Sequence, residues 1–216
     1  MGKTGTLEVI CGCMYSGKTE ELIRRIRREL IAKRRIQVFK SYRDIRYSIN
    51  EIASHDGQKV KALLVPKSEG KETTSSEELF KIMDLSNDVF AIDEVQFFDV
   101  EMAHLCNKLA NSGKRIIVAG LDLDFRGMPF RGPMPLLMSY ADKIDKLQAV
   151  CSICGSPASH TQRLINGRPA KWDETIYLIG GEDTYKAVCR KHHIIKRPNS
   201  GKLIKDYKVE MKKQEL

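Results

Sequence analysis

The string Gly12-Cys13-Met14-Tyr15-Ser16-Gly17-Lys18-Thr19 constrains this chain more than any other feature. It satisfies G-x-x-x-x-G-K-[ST] in full, between an apolar run at residues 7–11 and a stretch of helical periodicity at residues 18–33. Each fixed position has a physical reason. The glycines let the backbone curl until successive N–H groups point at phosphate oxygens. Lys18 neutralises the β- and γ-phosphates, and Thr19 offers a hydroxyl to Mg²⁺. The start of the following helix adds its positive dipole end. Nucleotide binding is therefore expected here.

The surrounding pattern predicts the framework. Within residues 18–33, Leu22, Ile23, Ile26 and Leu30 form an apolar face, and Arg24, Arg25, Arg27 and Arg28 cover the rest of the helix. Apolar runs predict strands at 36–40, 60–65, 88–92 and 115–119. Helices are expected over 75–83, capped by Ser75 or Ser76, and over 100–110, ended by Asn111-Ser112-Gly113. Residues 41–57 are polar without clear periodicity, residues 121–135 read as loop, and residues 144–150 lead out of the core. Strands alternating with helices over short links predict an α/β fold, a mostly parallel sheet with helices on both faces.

Phe90-Ala91-Ile92-Asp93-Glu94 has the form of a Walker B strand, an apolar run with an acid at its C-terminal end. In open α/β sheets that edge is where ligands bind. Asp93 can hold Mg²⁺ through water. Glu94, one residue on, is expected to point the other way, toward a second substrate, where a carboxylate can accept a proton from an attacking hydroxyl.

Cys151-Ser152-Ile153-Cys154 and Cys189-Arg190-Lys191-His192 form two C-x-x-[CH] knuckles. Two such knuckles supply the four ligands of a closed, structural zinc site. A redox pair at Cys151 and Cys154 would sit at the start of a helix in a βαβ unit, which this pattern lacks. His193 competes with His192 for the fourth place, and the tighter spacing favours His192.

Charge is informative through its distribution. The 216-residue chain carries a formal net charge of +9, but nine basic and three acidic residues from Arg190 onward place +6 of it in the C-terminal segment. That argues against a nucleic-acid-binding core. Asp93-Glu94-Val95-Gln96 does resemble a helicase-type acidic box, yet a helicase needs a second lobe for which this length leaves no space. No stretch approaches the ~18 apolar residues of a membrane span. Residues 1–6 lack the apolar region of a secretory signal, so a reduced, intracellular protein is expected.

Taken together these strings resemble the type II thymidine kinases, the cytosolic zinc-containing family. The resemblance rests on residues 12–19 with Glu21-Leu22, on Asp44-Ile45-Arg46-Tyr47-Ser48, and on Ser54-His55-Asp56-Gly57. It continues through Asp93-Glu94-Val95-Gln96-Phe97-Phe98, Gly120-Leu121-Asp122-Leu123-Asp124-Phe125, Pro129-Phe130 and the two knuckles. It implies a P-loop core of RecA-like type over residues 1–148, a zinc-anchored lasso domain over 149–195 and a basic tail over 196–216. It also implies transfer of the ATP γ-phosphate to the 5′-hydroxyl of thymidine or deoxyuridine for DNA precursor salvage, with Mg²⁺ accompanying ATP. By the same resemblance, Glu94 is the catalytic base, and Arg46, Asp44 and Gln96 join the loop in binding nucleotide. Phe97, Leu121, Phe125 and Phe130 surround base and sugar. Thr161, the run Ile176-Tyr177-Leu178-Ile179-Gly180, and Tyr185 belong to the lasso that contacts the nucleoside. A cytoplasmic homotetramer is implied as well. Arg131 follows Phe130 where the family usually has glycine, so the turn there is expected to differ.

Overall fold

The computed structural model describes residues 5–44, 50–53, 57–67, 69–70, 72–177 and 184–196. Arg46, Leu178, Ile179, Gly180 and the tail 197–216 lie outside the described residues. In chain order the first elements are β1 (Thr6–Gly12), α1 (Lys18–Ile31), β2 (Ile36–Ser41), β3 (Glu51–Ala53), β4 (Lys59–Lys61), β5 (Leu63–Val65) and α2 (Ser76–Ile82). Next come β6 (Val89–Asp93), a 3₁₀ turn (Val95–Phe97), α3 (Glu101–Asn111), β7 (Arg115–Gly120), α4 (Met134–Tyr140) and β8 (Lys143–Leu147). Five short strands follow: β9 (Ala149–Val150), β10 (Pro157–Ala158), β11 (His160–Ile165), β12 (Arg168–Pro169) and β13 (Tyr185–Val188).

Six strands form one parallel sheet in the order β5-β2-β6-β7-β1-β8. Side chains alternate across it. Leu7, Val9 and Cys11 of β1, Phe90 and Ile92 of β6, and Ile116 and Val118 of β7 pack with α2, α3 and α4. Ile10, Val89, Ala91, Ile117 and Ala119 pack on the opposite face against Leu22, Ile23 and Ile26 of α1 and Ile52 of β3. A parallel sheet needs such cover on both faces. Ser75 caps α2, its hydroxyl accepting from the Glu78 N–H at 3.1 Å.

Several local expectations give way to tertiary context. The stretch 60–65 is two strands broken at Ala62, with β4 pairing to β3 and β5 to β2. The polar stretch 41–57 contains β3. A helix starts at Met134 inside the expected loop, and β8 is an edge strand of the sheet rather than a lead out of it.

In α1 the expected arginine cover is only partly right. Arg25 is buried, donating to Glu8 at 2.6 Å, Glu21 at 2.8 Å and Asp145 at 2.5 Å, while Leu30 is 51% exposed. Glu29 takes the inward place instead and pairs with Arg115. Carboxylates from β1, β8 and α1 make a charged position inward-facing, which periodicity within one helix does not reveal.

Cys11, Cys13 and Cys106 are buried, and burial pushes the Cys106 thiol up to about 12. Among the described residues no helix is long and apolar enough to cross a membrane.

Candidate active site and metal centre

The loop between β1 and α1 lies at the C-terminal edge of the sheet. Gly12 has φ 141°, and a Cβ there would lie 2.3 Å from the Leu147 carbonyl oxygen. Gly17 stands at the helix N-cap with φ 80° and supplies no side-chain cap to the first-turn N–H groups. Those groups face the loop, as phosphate binding requires. The Lys18 ammonium donates to the Cys13 carbonyl at 2.7 Å. Burial lowers its pKa, and Glu94, Cys13 and Asp93 oppose the shift in that order.

The P-loop strand and the Asp93 strand are not neighbours, because β7 runs between them. Even so, the Thr19 hydroxyl donates to Asp93 Oδ2 at 3.1 Å. A hydroxyl and a carboxylate oxygen side by side beside the loop lysine are the donors that Mg²⁺ prefers, so these residues fit the ion. Asp93 is buried and its carboxyl is pushed up, first by desolvation, then by Glu94 and Asp44.

Glu94 departs from the expected alternation. The strand ends at Asp93, and Glu94 takes a left-handed conformation with φ 51° and ψ 40°. Strand alternation therefore does not govern where the Glu94 side chain points. A non-glycine residue held in that region is sparsely populated and marks a position fixed by its surroundings. Its amide donates to Asp93 Oδ1 at 2.9 Å, and its carboxylate accepts from Gln96.

Phe97, Phe130 and Tyr177 meet beside Glu94's turn. Ring centroids lie 6.1 Å apart for Phe97 and Phe130, 6.0 Å for Phe97 and Tyr177, and 6.2 Å for Phe130 and Tyr177. The Arg43 guanidinium sits 4.6 Å from the Tyr177 ring centroid. Arg43 was not among the expected site residues, since it falls in the polar stretch after β2. Its one sequence signal is adjacency to Asp44.

Cys151, Cys154, Cys189 and His192 bring their ligand atoms within 4.8 Å of one another. Cys151 Sγ and His192 Nδ1 are 3.6 Å apart, Cys189 Sγ and His192 Nδ1 3.4 Å, and the Cys154 and Cys189 sulfurs 3.9 Å. Tetrahedral Zn²⁺ with bonds of about 2.0–2.3 Å separates its ligands by about 3.5–3.8 Å, so the four residues fit zinc with no open position. His193 is turned away, its Nε2 donating to the Phe125 carbonyl at 2.9 Å and its ring against His160.

Residues 5–193 match the sequence model of the thymidine kinase family. The chain belongs to the thymidine kinase family. Solved structures give a fainter likeness. Domain III of the Thermotoga maritima replication initiation protein DnaA aligns with TM-score 0.39 and 20% identity over 66% of this chain, which spans 55% of that domain's length. The flagellar accessory protein FlaH from Methanocaldococcus jannaschii gives 0.44 and 13%, over 72% of this chain and 76% of its own. The Legionella pneumophila ATPase DotB gives 0.40 and 11%, over 72% and 44%. Likeness at this level fixes neither a fold nor an activity.

The residues that the thymidine kinase resemblance assigns fall into distinct places. Asp44 is buried, 3.8 Å from the Lys40 ammonium. Gln96 is fully buried and bonded to Glu94 and to the Leu121 N–H. Phe125 is buried beneath the Arg163 guanidinium. Thr161 is buried against the phosphate loop, accepting from the Met14 N–H at 3.0 Å. The Tyr185 carbonyl accepts from the Tyr15 hydroxyl at 3.4 Å. Ile176 is half-buried beside Tyr177. Arg131 is exposed, and the positive φ of 111° falls on Gly132 after it.

Proposed function

We propose that this protein transfers the γ-phosphate of ATP to the 5′-hydroxyl of thymidine or deoxyuridine. The observation that carries the reading is the meeting, at one sheet edge, of a phosphate loop, the Asp93-Glu94 pair and the Phe97, Phe130 and Tyr177 rings. Phosphoryl transfer asks a protein for positioning and charge neutralisation more than for covalent chemistry. The loop N–H groups and Lys18 hold the triphosphate. Thr19 and Asp93 hold Mg²⁺, which when bound neutralises charge developing on the phosphoryl oxygens. Glu94 accepts the proton of the attacking hydroxyl. The three rings form an apolar wall for a pyrimidine and exclude water beside it.

Zinc at Cys151, Cys154, Cys189 and His192 would tie residues 149–165 to 184–192, from which the chain runs on to Tyr177 at that wall. DNA precursor salvage, a cytoplasmic location and a homotetramer belong to the same proposal.

A nucleoside panel with labelled ATP, scored for 5′-monophosphate, tests the substrate assignment. Thymidine or deoxyuridine is expected to be phosphorylated. Transfer to neither nucleoside overturns it. Glu94→Gln is expected to keep ATP binding and to lower turnover by about a hundredfold or more, the scale for loss of a general base. Near-normal turnover in that variant removes Glu94 from the role.

A further inference from the structure

Gln96 is the one neutral polar side chain of the Asp93 turn that is completely buried. It lies in the 3₁₀ turn and spans two parts of the site. Its Oε1 accepts from the Leu121 N–H at 3.0 Å, and its Nε2 donates to Glu94 Oε2. The amide orientation follows from chemistry, because a backbone N–H only donates. The carbonyl end must face Leu121, and so the NH₂ end faces Glu94.

Room for this bridge comes from Gly120 at the end of β7. A Cβ there would lie 2.5 Å from Gln96 Oε1 and 3.0 Å from Val95 Cγ1. Any larger residue at 120 drives the amide off Leu121.

Such a support bears directly on Glu94. It has left the strand and stands in a left-handed conformation, so the β6 ladder no longer dictates where its side chain goes. Lys18 and Asp93 lie near it and pull its carboxylate in opposite senses. A hydrogen bond from a buried amide, itself fixed to backbone, sets the carboxylate direction without adding charge.

We propose that Gln96 is a positioning residue for the transfer step: anchored on the Leu121 amide in the slot left by Gly120, it holds Glu94 by Oε2 and so fixes where the carboxylate stands when it takes the proton of the nucleoside hydroxyl. This rests on Glu94 being the proton acceptor. It gives Gln96 a role apart from nucleotide binding, and it joins the acid to Leu121 at the nucleoside side of the site.

Steady-state kinetics with thymidine and ATP test it. Gln96→Met fills the volume but cannot donate, and it is expected to lower kcat about tenfold while KM for ATP and for thymidine stay within twofold. In the Glu94→Gln background the same substitution is expected to add no further loss, because the bond it removes has no function left. Gln96→Glu keeps an acceptor for the Leu121 N–H, and serves if Gln96→Met fails to fold by thermal melt. Its kcat is expected to fall at least as far.

Three results overturn the proposal: full kcat in both variants, a rise in KM for ATP at unchanged kcat, or an equal further loss in the Glu94→Gln background. The base assignment fails separately. Near-normal turnover in Glu94→Gln alone overturns that assignment and the bridge's purpose with it, whereas a Glu94→Gln slowed about a hundredfold with additive Gln96 effects overturns only the bridge.

Discussion

Behind the phosphate loop the sheet is filled with large side chains: Phe39, Phe90, Ile92, Ile116 and Phe98 are all at most 1% exposed. The region after β8 has a different centre. Its buried apolar cluster consists of Cys13, Ala149, Cys151, Ala158, Ala187 and Val188, none larger than valine. Burying a Leu, Ile or Phe side chain stabilises by about 1.5–3 kcal/mol, so the sheet can hold itself together by burial. Alanines, cysteines and a valine, with Tyr185 of β13 the larger buried side chain, bury less apolar surface for five short strands. A structural zinc ion contributes on the order of 10 kcal/mol to the domain it closes. On this reading one half of the site is set by packing, and the other would be set by the four residues that could hold zinc.

The sharpest way to break this contrast is to remove the metal. Cys189→Ser, or a strong chelator, is expected to abolish phosphorylation and open residues 149–196 to protease while the 5–147 core keeps its helical circular dichroism. Metal analysis of the untreated protein should give about one zinc per chain. A fully ordered, metal-free protein would mean that packing suffices on both sides.

The reverse experiment acts on the sheet. Phe90→Ala is expected to cost about 3–5 kcal/mol in urea unfolding with zinc content unchanged. Loss of zinc from that variant while it remains folded would show that the halves do not differ in this way.

A smaller effect is expected where the halves meet. Thr161→Val leaves the Met14 N–H without its acceptor, a loss of about 1 kcal/mol. KM for ATP should rise roughly fivefold to tenfold with KM for thymidine unchanged. A change confined to the nucleoside would put Thr161 on that substrate instead.

The smallest expected effect lies in the first turn of α1. Arg24 and then Arg25 hold the Glu21 carboxyl down to about 2, so the folded-state pKa is depressed. Its contribution is present above the unfolded value of about 4.5 and is lost as pH falls toward 2. The stability gap between wild type and Glu21→Gln should be about 0.5–1 kcal/mol at pH 6 and should close across that window. A gap that does not change with pH would assign the contribution to packing.

What the sequence made legible follows the same division between local and distant causes. The loop, Asp93 and the four residues that could hold a metal stand out because their chemistry demands fixed residues at fixed spacing. The alternation of Phe90 and Ile92 with Val89 and Ala91 is hidden by burial on both faces, yet the apolar run still marks the strand. Lys143-Ile144-Asp145-Lys146-Leu147 did not read as a sheet strand because β8 lies on the edge, where charged side chains reach water.

The prolines at 133 and 135 looked like loop punctuation, although proline is tolerated in a first helical turn, where α4 begins. Arg25 owes its burial to Glu8 and Asp145, 17 and 120 residues away. Gln96 was visible in the string but not its task. That task depends on Leu121 at the end of another strand and on the missing side chain of Gly120.

Cys13 has a further consequence. It belongs to the phosphate loop, yet its side chain is part of the cluster around Cys151, and its thiol donates to the Ala158 carbonyl at 3.3 Å. The phosphate loop is thus also a wall of the region around the Cys3His cluster. Two ligands that stabilise one shared wall are thermodynamically linked, and linkage is reciprocal. Whatever factor metal occupancy adds to nucleotide affinity, nucleotide must return to metal retention. If the cluster holds zinc as proposed, saturating ATP should slow loss of the metal to a chelator.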